Sequence, residues 1–165
     1  MRLFLSSRPS VYLGAITVVC IGSSAFAACT TISIGTITSS PVSYSPATPG
    51  DTAFTFTANI SCTSGSGGGN FTAWLGGSGG ATVTSTSPIS NPRTMRLVGS
   101  AQVLNYNIYT INGGSSIWGN GTAGTFTVGG NISNTSSLTG YGRIFSGQYI
   151  KPGNYTDTLN LVIDY

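Results

Sequence analysis

Side chains able to do proton chemistry are few. Asp51, Asp157 and Asp164 are the only acids in 165 residues, and the chain has neither His nor Glu. A Ser/His/Asp triad, a His metal site, a Glu general acid and a His-assisted Cys nucleophile each need a residue type that is missing. The carboxylates do not pair either. Read as one extended strand, the segment from Asp157 to Asp164 separates them by about 23 Å, against the roughly 5 to 10 Å of a glycosidase pair. The glycine-rich stretches Gly65–Gly69 and Gly76–Gly80 lack the following Lys-Ser/Thr, and the helix, of a phosphate-binding loop. No catalytic, cofactor-binding or metal-ligating residue is expected, and the chain does not read as an enzyme. What remains is recognition: Trp74, Trp118 and the tyrosines carry rings able to stack on a sugar or another surface, although a place in a core or groove is the preferred reading.

Charge narrows the partners further. Only 5% of residues are charged, and the net charge is +3. Arg2 and Arg8 fall in a segment expected to be removed, which leaves Arg93, Arg96, Arg143 and Lys151 against three acids. No basic patch survives to hold nucleic acid. Residues 1–27 have a basic start, an apolar stretch from Val11 to Ile21, and Ala25-Phe26-Ala27 with small residues at the cleavage positions. This is the pattern of a signal peptide, with the mature domain running from Ala28 to Tyr165. The apolar stretch is shorter than the roughly 20 residues of a membrane span. A lipidation box at Phe26-Ala27-Ala28-Cys29 is the weaker rival, given the bulky Phe26. Of the three cysteines, Cys20 leaves with the leader. Cys29 and Cys62 then form an even pair in an oxidising compartment, and a disulfide is expected. A redox or metal role would need a Cys-x-x-Cys or further ligands.

The elements that carry these residues read as strands. Phe54, Phe56, Ala58, Ile60 and Cys62 alternate with Thr55, Thr57, Asn59 and Ser61, a period of two with one apolar face. The same period runs through Tyr155, Leu159, Leu161, Ile163 and Tyr165, read as one terminal strand. Shorter strands are expected at Thr31–Ile37, Asn70–Leu75, Thr94–Val98, Val103–Tyr109, Thr125–Val128 and Leu138–Ile144. The proline-bearing segment Pro41–Asp51 and the turns Asn112-Gly113-Gly114, Gly119-Asn120-Gly121 and Gly129-Gly130-Asn131 separate strands. No stretch keeps a helical apolar period over three turns. Many short strands with frequent turns predict an all-β sandwich or barrel.

The second half of the chain resembles the spore coat protein U domain family, whose members include pilins of archaic, Csu-type chaperone-usher pili. The resemblance rests on Leu104-Asn105-Tyr106-Asn107-Ile108-Tyr109, Ile117-Trp118-Gly119-Asn120-Gly121, Tyr141-Gly142-Arg143-Ile144 with Gly147-Gln148, and Pro152-Gly153-Asn154-Tyr155-Thr156-Asp157-Thr158-Leu159. Cys29, Val42-x-Tyr44-x-Pro46 and Cys62 extend it over the mature chain. Asn120 and Phe145 depart from the usual Asp and Pro. The resemblance implies an incomplete immunoglobulin-like sandwich completed by a donor strand from a partner, with a groove lined by Leu159, Leu161, Ile163 and Tyr165. It implies as partners a periplasmic chaperone, an outer-membrane usher and neighbouring pilin subunits, passage through the periplasm to the cell surface, and a role in surface attachment and biofilm formation. The terminal strand runs to Tyr165, leaving nothing after it to cover its edge. After the expected cleavage only Ala28 would precede Cys29, so no donor arm is expected. The subunit is therefore expected at a fibre tip, with Trp74 a candidate contact to an abiotic or host surface. The competing reading is a free-standing secreted carbohydrate-binding or spore/cell-coat module.

Overall fold

The computed structural model describes residues 18–21, 29, 31–39, 43–47, 49–64, 69–78, 92–132 and 135–165. Its strands are β1 (Val18–Ile21), β2 (Thr31–Ser39), β3 (Ser43–Tyr44), β4 (Thr52–Ser64), β5 (Gly69–Leu75), β6 (Arg93–Leu97), β7 (Val103–Tyr109), β8 (Val128–Ile132), β9 (Thr135–Ile144), β10 (Gly153–Thr156) and β11 (Leu161–Asp164). They form a seven-stranded sheet of order β2-β4-β9-β7-β6-β10-β3 and a four-stranded sheet of order β1-β11-β5-β8. Among the described residues there is no α-helix. The all-β fold expected from the period-two runs is the fold observed.

β4 is the spine of the larger sheet. It pairs with β2 on one side and, from Thr52↔Ile144 to Ser61↔Thr135, with β9 on the other. Its alternation does what a half-buried strand must: Phe56, Ala58 and Ile60 are buried in the core, while Thr55 and Asn59 face solvent. Opposite Phe54 and Phe56 the partner strand presents Gly142 and Gly140. A Cβ at either glycine would fall on the facing ring, so the two aromatic rings fill the space that side chains on β9 would otherwise take. The Cys29–Cys62 disulfide forms with a Cα–Cα distance of 5.6 Å, and both cysteines pack against the core.

Trp118 joins the sheets. It is fully buried, stacks on Phe56 with ring centroids 5.7 Å apart and planes 11° from parallel, and its Nε1 donates to the Ala73 carbonyl of β5 at 3.0 Å. The ring therefore contacts a side chain of one sheet and a backbone acceptor of the other, and the indole N–H is satisfied rather than left desolvated.

Three expectations are corrected. The terminal segment is two strands in different sheets, β10 in the larger and β11 in the smaller. The chain leaves one sheet at Asp157, whose carboxylate accepts from the Tyr106 hydroxyl at 2.6 Å and from the Thr158 N–H at 2.7 Å. It enters the other at Asn160, whose carbonyl accepts from the Gly76 N–H at 2.7 Å. The strand expected over Thr125–Val128 begins only at Val128 and continues through Gly129-Gly130-Asn131, which had read as a turn. Thr125 is tied into the preceding loop through the Thr122 carbonyl. Gly130 faces the Phe71 ring within the strand, and that ring lies 3.1 Å from where its Cβ would stand, a tight contact that a small shift relieves. Finally, Pro41–Asp51 is not all turn: Ser43–Tyr44 pairs with β10. The glycine/serine stretches Ser64–Gly69 and Gly76–Gly80 also read as loops; Ser64 ends β4 and Gly69 opens β5, while residues 65–68 and 79–80 lie outside the described residues.

Candidate functional site

The feature that distinguishes the smaller sheet is the way β11 is flanked. On one side it pairs antiparallel with β5, Leu161↔Leu75, Val162↔Trp74, Ile163↔Ala73 and Asp164↔Thr72. On the other it pairs in parallel with β1, Val18↔Leu161, Val19↔Val162, Cys20↔Ile163 and Ile21↔Asp164. This is the one parallel pair among the described strands, and β1 belongs to the segment read as a removable leader. β1 was missed as a strand because its apolar run reads first as an export signal.

Leu161 and Ile163 are fully buried and point into the core from β11. Leu159 is buried as well, but it stands on the crossing before the strand, and Tyr165, just after it, is half-buried against the core. Val162 is also buried, on the opposite face from Leu161 and Ile163. Its cross-strand neighbour is Trp74, half-buried, with a ring nitrogen that is out of solvent and has no hydrogen-bond partner among the described residues. Trp74 therefore lies beside the strand expected to line a groove, and its ring is not freely exposed. Asp164 ends β11, and burial raises its carboxyl above the ordinary carboxylate value.

A buried charge anchors the other end of the site. Arg93, 2% exposed, donates from Nη2 to the carbonyls of Trp118 at 2.7 Å, Gly76 at 3.1 Å and Leu75 at 3.4 Å, and from Nε to Gly76 at 3.2 Å. It thus holds the end of β5 against the Trp118 loop. Burial lowers its pKa, opposed by the nearby Tyr106 and Asp157. Burial, then the Asp157 charge and its hydrogen bond, pushes the Tyr106 phenol well above its ordinary value. These groups fix backbone and leave no acid and base poised on a common open site. Nothing in the sequence marked Arg93 as buried; the only signal available was its position at the head of a strand otherwise alternating Met95 and Leu97 inward.

The chain matches the Spore Coat Protein U domain over residues 15–162. It belongs to the Spore Coat Protein U domain family. The match begins inside the segment expected to be removed and ends within β11. Membership agrees with the reading of the chain as a structural β domain rather than an enzyme. Among solved structures, the crystal structure of the CsuC–CsuE chaperone–tip adhesion subunit pre-assembly complex from archaic chaperone-usher Csu pili of Acinetobacter baumannii is similar at 12% identity and a TM-score of 0.47. The similarity covers 82% of this chain and 40% of that one. No curated protein matches the chain.

Proposed function

We propose that this spore coat protein U domain is an exported, non-catalytic pilus subunit of the chaperone-usher type, in which the outer edge of β11 accepts a strand from a partner. The observation that supports this is the pairing of β11 with β1. On that side the strand is covered by Val18–Ile21 alone among the described residues, and those residues lie before the expected cleavage after Ala27. Removing them leaves a row of unpaired backbone groups beside the Leu161 and Ile163 positions, the kind of edge on which β-augmentation operates. A periplasmic chaperone and then a neighbouring subunit would supply the missing strand, with an outer-membrane usher passing the subunit to the surface.

The deciding experiment compares residues 28–165 alone and with a chaperone or an apolar donor peptide. The expected result is self-association or early melting alone, and stabilisation by about 2.7 kcal/mol when the donor is present at a hundred times its Kd. A chain that stays monomeric and unfolds reversibly at the same temperature with and without donor would refute the reading. N-terminal sequencing of exported protein should begin at Ala28; retention of Val18–Ile21 would remove the open edge. Within this reading the subunit sits at a fibre tip and supports surface attachment and biofilm formation, because only Ala28 would precede the Cys29 anchor. Immunogold labelling at fibre ends is expected, and regular labelling along shafts would refute the tip position.

A further inference from the structure

The larger sheet carries a separate cleft of about 430 Å³, away from β11. Its floor is set by register. Thr55↔Tyr141 and Tyr141↔Tyr109 place one row of side chains on the same face across β4, β9 and β7. Arg143 stands in the next row, opposite Ala53 and Asn107. That face is the reverse of the one on which Phe54 and Phe56 meet Gly142 and Gly140, because neighbouring residues of a strand alternate. The wall is the turn after β7, where Asn112 is followed by Gly113 and Gly114. Gly113 takes φ 68°, a left-handed turn conformation, and a Cβ there would meet nothing within 4 Å. The turn therefore leaves the cleft open.

The chemistry inside is mixed, with aromatic, amide, hydroxyl and guanidinium groups on one cleft. The Arg143 guanidinium lies 4.3 Å from the Tyr109 ring centroid, and its Nε is 3.6 Å from Asp51 Oδ2. Its charge is thus already matched by a carboxylate, and a free anion would meet Asp51 as well as Arg143. A cation would meet the guanidinium. A wholly apolar ligand would strip water from Arg143 and Asn112 without replacing its hydrogen bonds, at a cost of about 1 to 3 kcal/mol for each group left unpaired. A neutral polyol ring fits all three constraints: with Tyr109 covered by the guanidinium, its C–H face would lie on Tyr141, and its hydroxyls would accept from the guanidinium and exchange hydrogen bonds with the Asn112 amide and the Tyr141 phenol. The volume lies at the lower end of the roughly 300 to 1,000 Å³ range of small-molecule sites, enough for a sugar ring.

We propose that the cleft between the Asn112–Gly114 turn and the Tyr141/Arg143 face binds a neutral pyranose sugar. The test uses the full chain, residues 1–165, in which β11 keeps its β1 neighbour, so that it does not depend on the strand-acceptor reading. Saturation-transfer NMR and calorimetry are run with methyl glycosides of glucose, galactose, mannose and N-acetylglucosamine, with glucuronic acid and a proline-rich peptide as comparisons. Saturable binding of at least one neutral glycoside is expected, weakened about tenfold by Tyr141→Ala and about threefold by Asn112→Ala in the exposed turn. Tyr149→Ala, at a side chain 93% exposed outside the cleft, should leave binding unchanged. Asn112→Ala keeps the test valid should Tyr141→Ala fail to fold. The proposal is overturned if no neutral glycoside binds at millimolar concentration, if glucuronic acid or the peptide binds in preference, or if folded Tyr141→Ala and Asn112→Ala bind as the parent does.

Discussion

Replacing Gly140 by alanine tests the packing on which the larger sheet depends. The added methyl would fall on the Phe56 ring, directly across the β4–β9 ladder. Phe56 has little room to retreat, because it is buried and stacked on Trp118, itself fully buried and held to Ala73 by a hydrogen bond of 3.0 Å. Either the ring leaves its rotamer or the strands part, and overpacking of this kind costs about 1 to 3 kcal/mol. For a chain of this size that corresponds to a Tm lowered by about 2 to 12 °C. Gly142→Ala meets Phe54, only half-buried, whose ring has an outward escape, so the loss should be smaller. Gly130→Ala meets the tip of the Phe71 ring at 3.1 Å, a contact relieved by a small shift, and should fall within about 0.5 kcal/mol of the parent. Thermal and urea unfolding of the full chain give the order. Phe56→Leu should recover part of the Gly140→Ala loss, so that the double mutant is more stable than the sum of the single effects. A Gly140→Ala chain as stable as the parent, or one less affected than Gly130→Ala, would refute the argument that the stacked rings are fixed.

Other expectations follow from the same contacts. Intact mass should show a disulfide and no free thiol in the exported protein, and Cys62→Ser should lower stability by about 4 kcal/mol, the chain-entropy value for a loop closed between residues 33 apart; equal denaturation curves would contradict this. Arg93→Met removes the donor shared by three buried carbonyls and should cost at least about 3 kcal/mol in urea unfolding; a neutral result would mean that water or another side chain reaches them. The Asp164 carboxyl has a raised folded pKa, so its contribution is fully present below its unfolded value and is lost as pH rises through the raised one. Asp164→Asn should therefore flatten the stability profile in the mildly acidic range, measured by unfolding across pH, and an unchanged profile would count against the burial of that group.

The legible parts of the fold are those in which one strand face is buried and the other is wet. β4 was readable from Phe54 to Cys62 because its apolar residues alternate without interruption, and β7 has the bounds its sequence suggests, Val103 to Tyr109. The disulfide followed from the pair Cys29 and Cys62 that remains once Cys20 is assigned to the expected leader. Period two does not say which sheet a strand joins, however, so Tyr155 to Tyr165 read as one strand across a change of sheet. Glycine reads as a turn whether it frees the backbone, as at Gly113, or makes room for a ring, as at Gly130. Arg93 was invisible because an arginine ordinarily signals solvent, and only the carbonyls gathered from β5 and the Trp118 loop justify its burial. The cleft on the reverse face does have a signal in the sequence: Asn107-x-Tyr109 and Tyr141-x-Arg143 each place polar or aromatic side chains on the face opposite the core. What sequence could not supply was the register that brings the two rows together.

The crossing from β10 to β11 bears on how the domain carries force. A strand laid along β11 and pulled lengthwise loads its hydrogen bonds in shear, so the whole ladder resists together instead of opening from one end. From β11 the load passes sideways through the Leu161↔Leu75 to Asp164↔Thr72 ladder into β5. It also passes along the covalent chain through residues 157–160 into β10. The bonds of Tyr106 to Asp157 and of Gly76 to Asn160 pin that link at both ends. Tension applied at that edge therefore has a path into each of the two sheets.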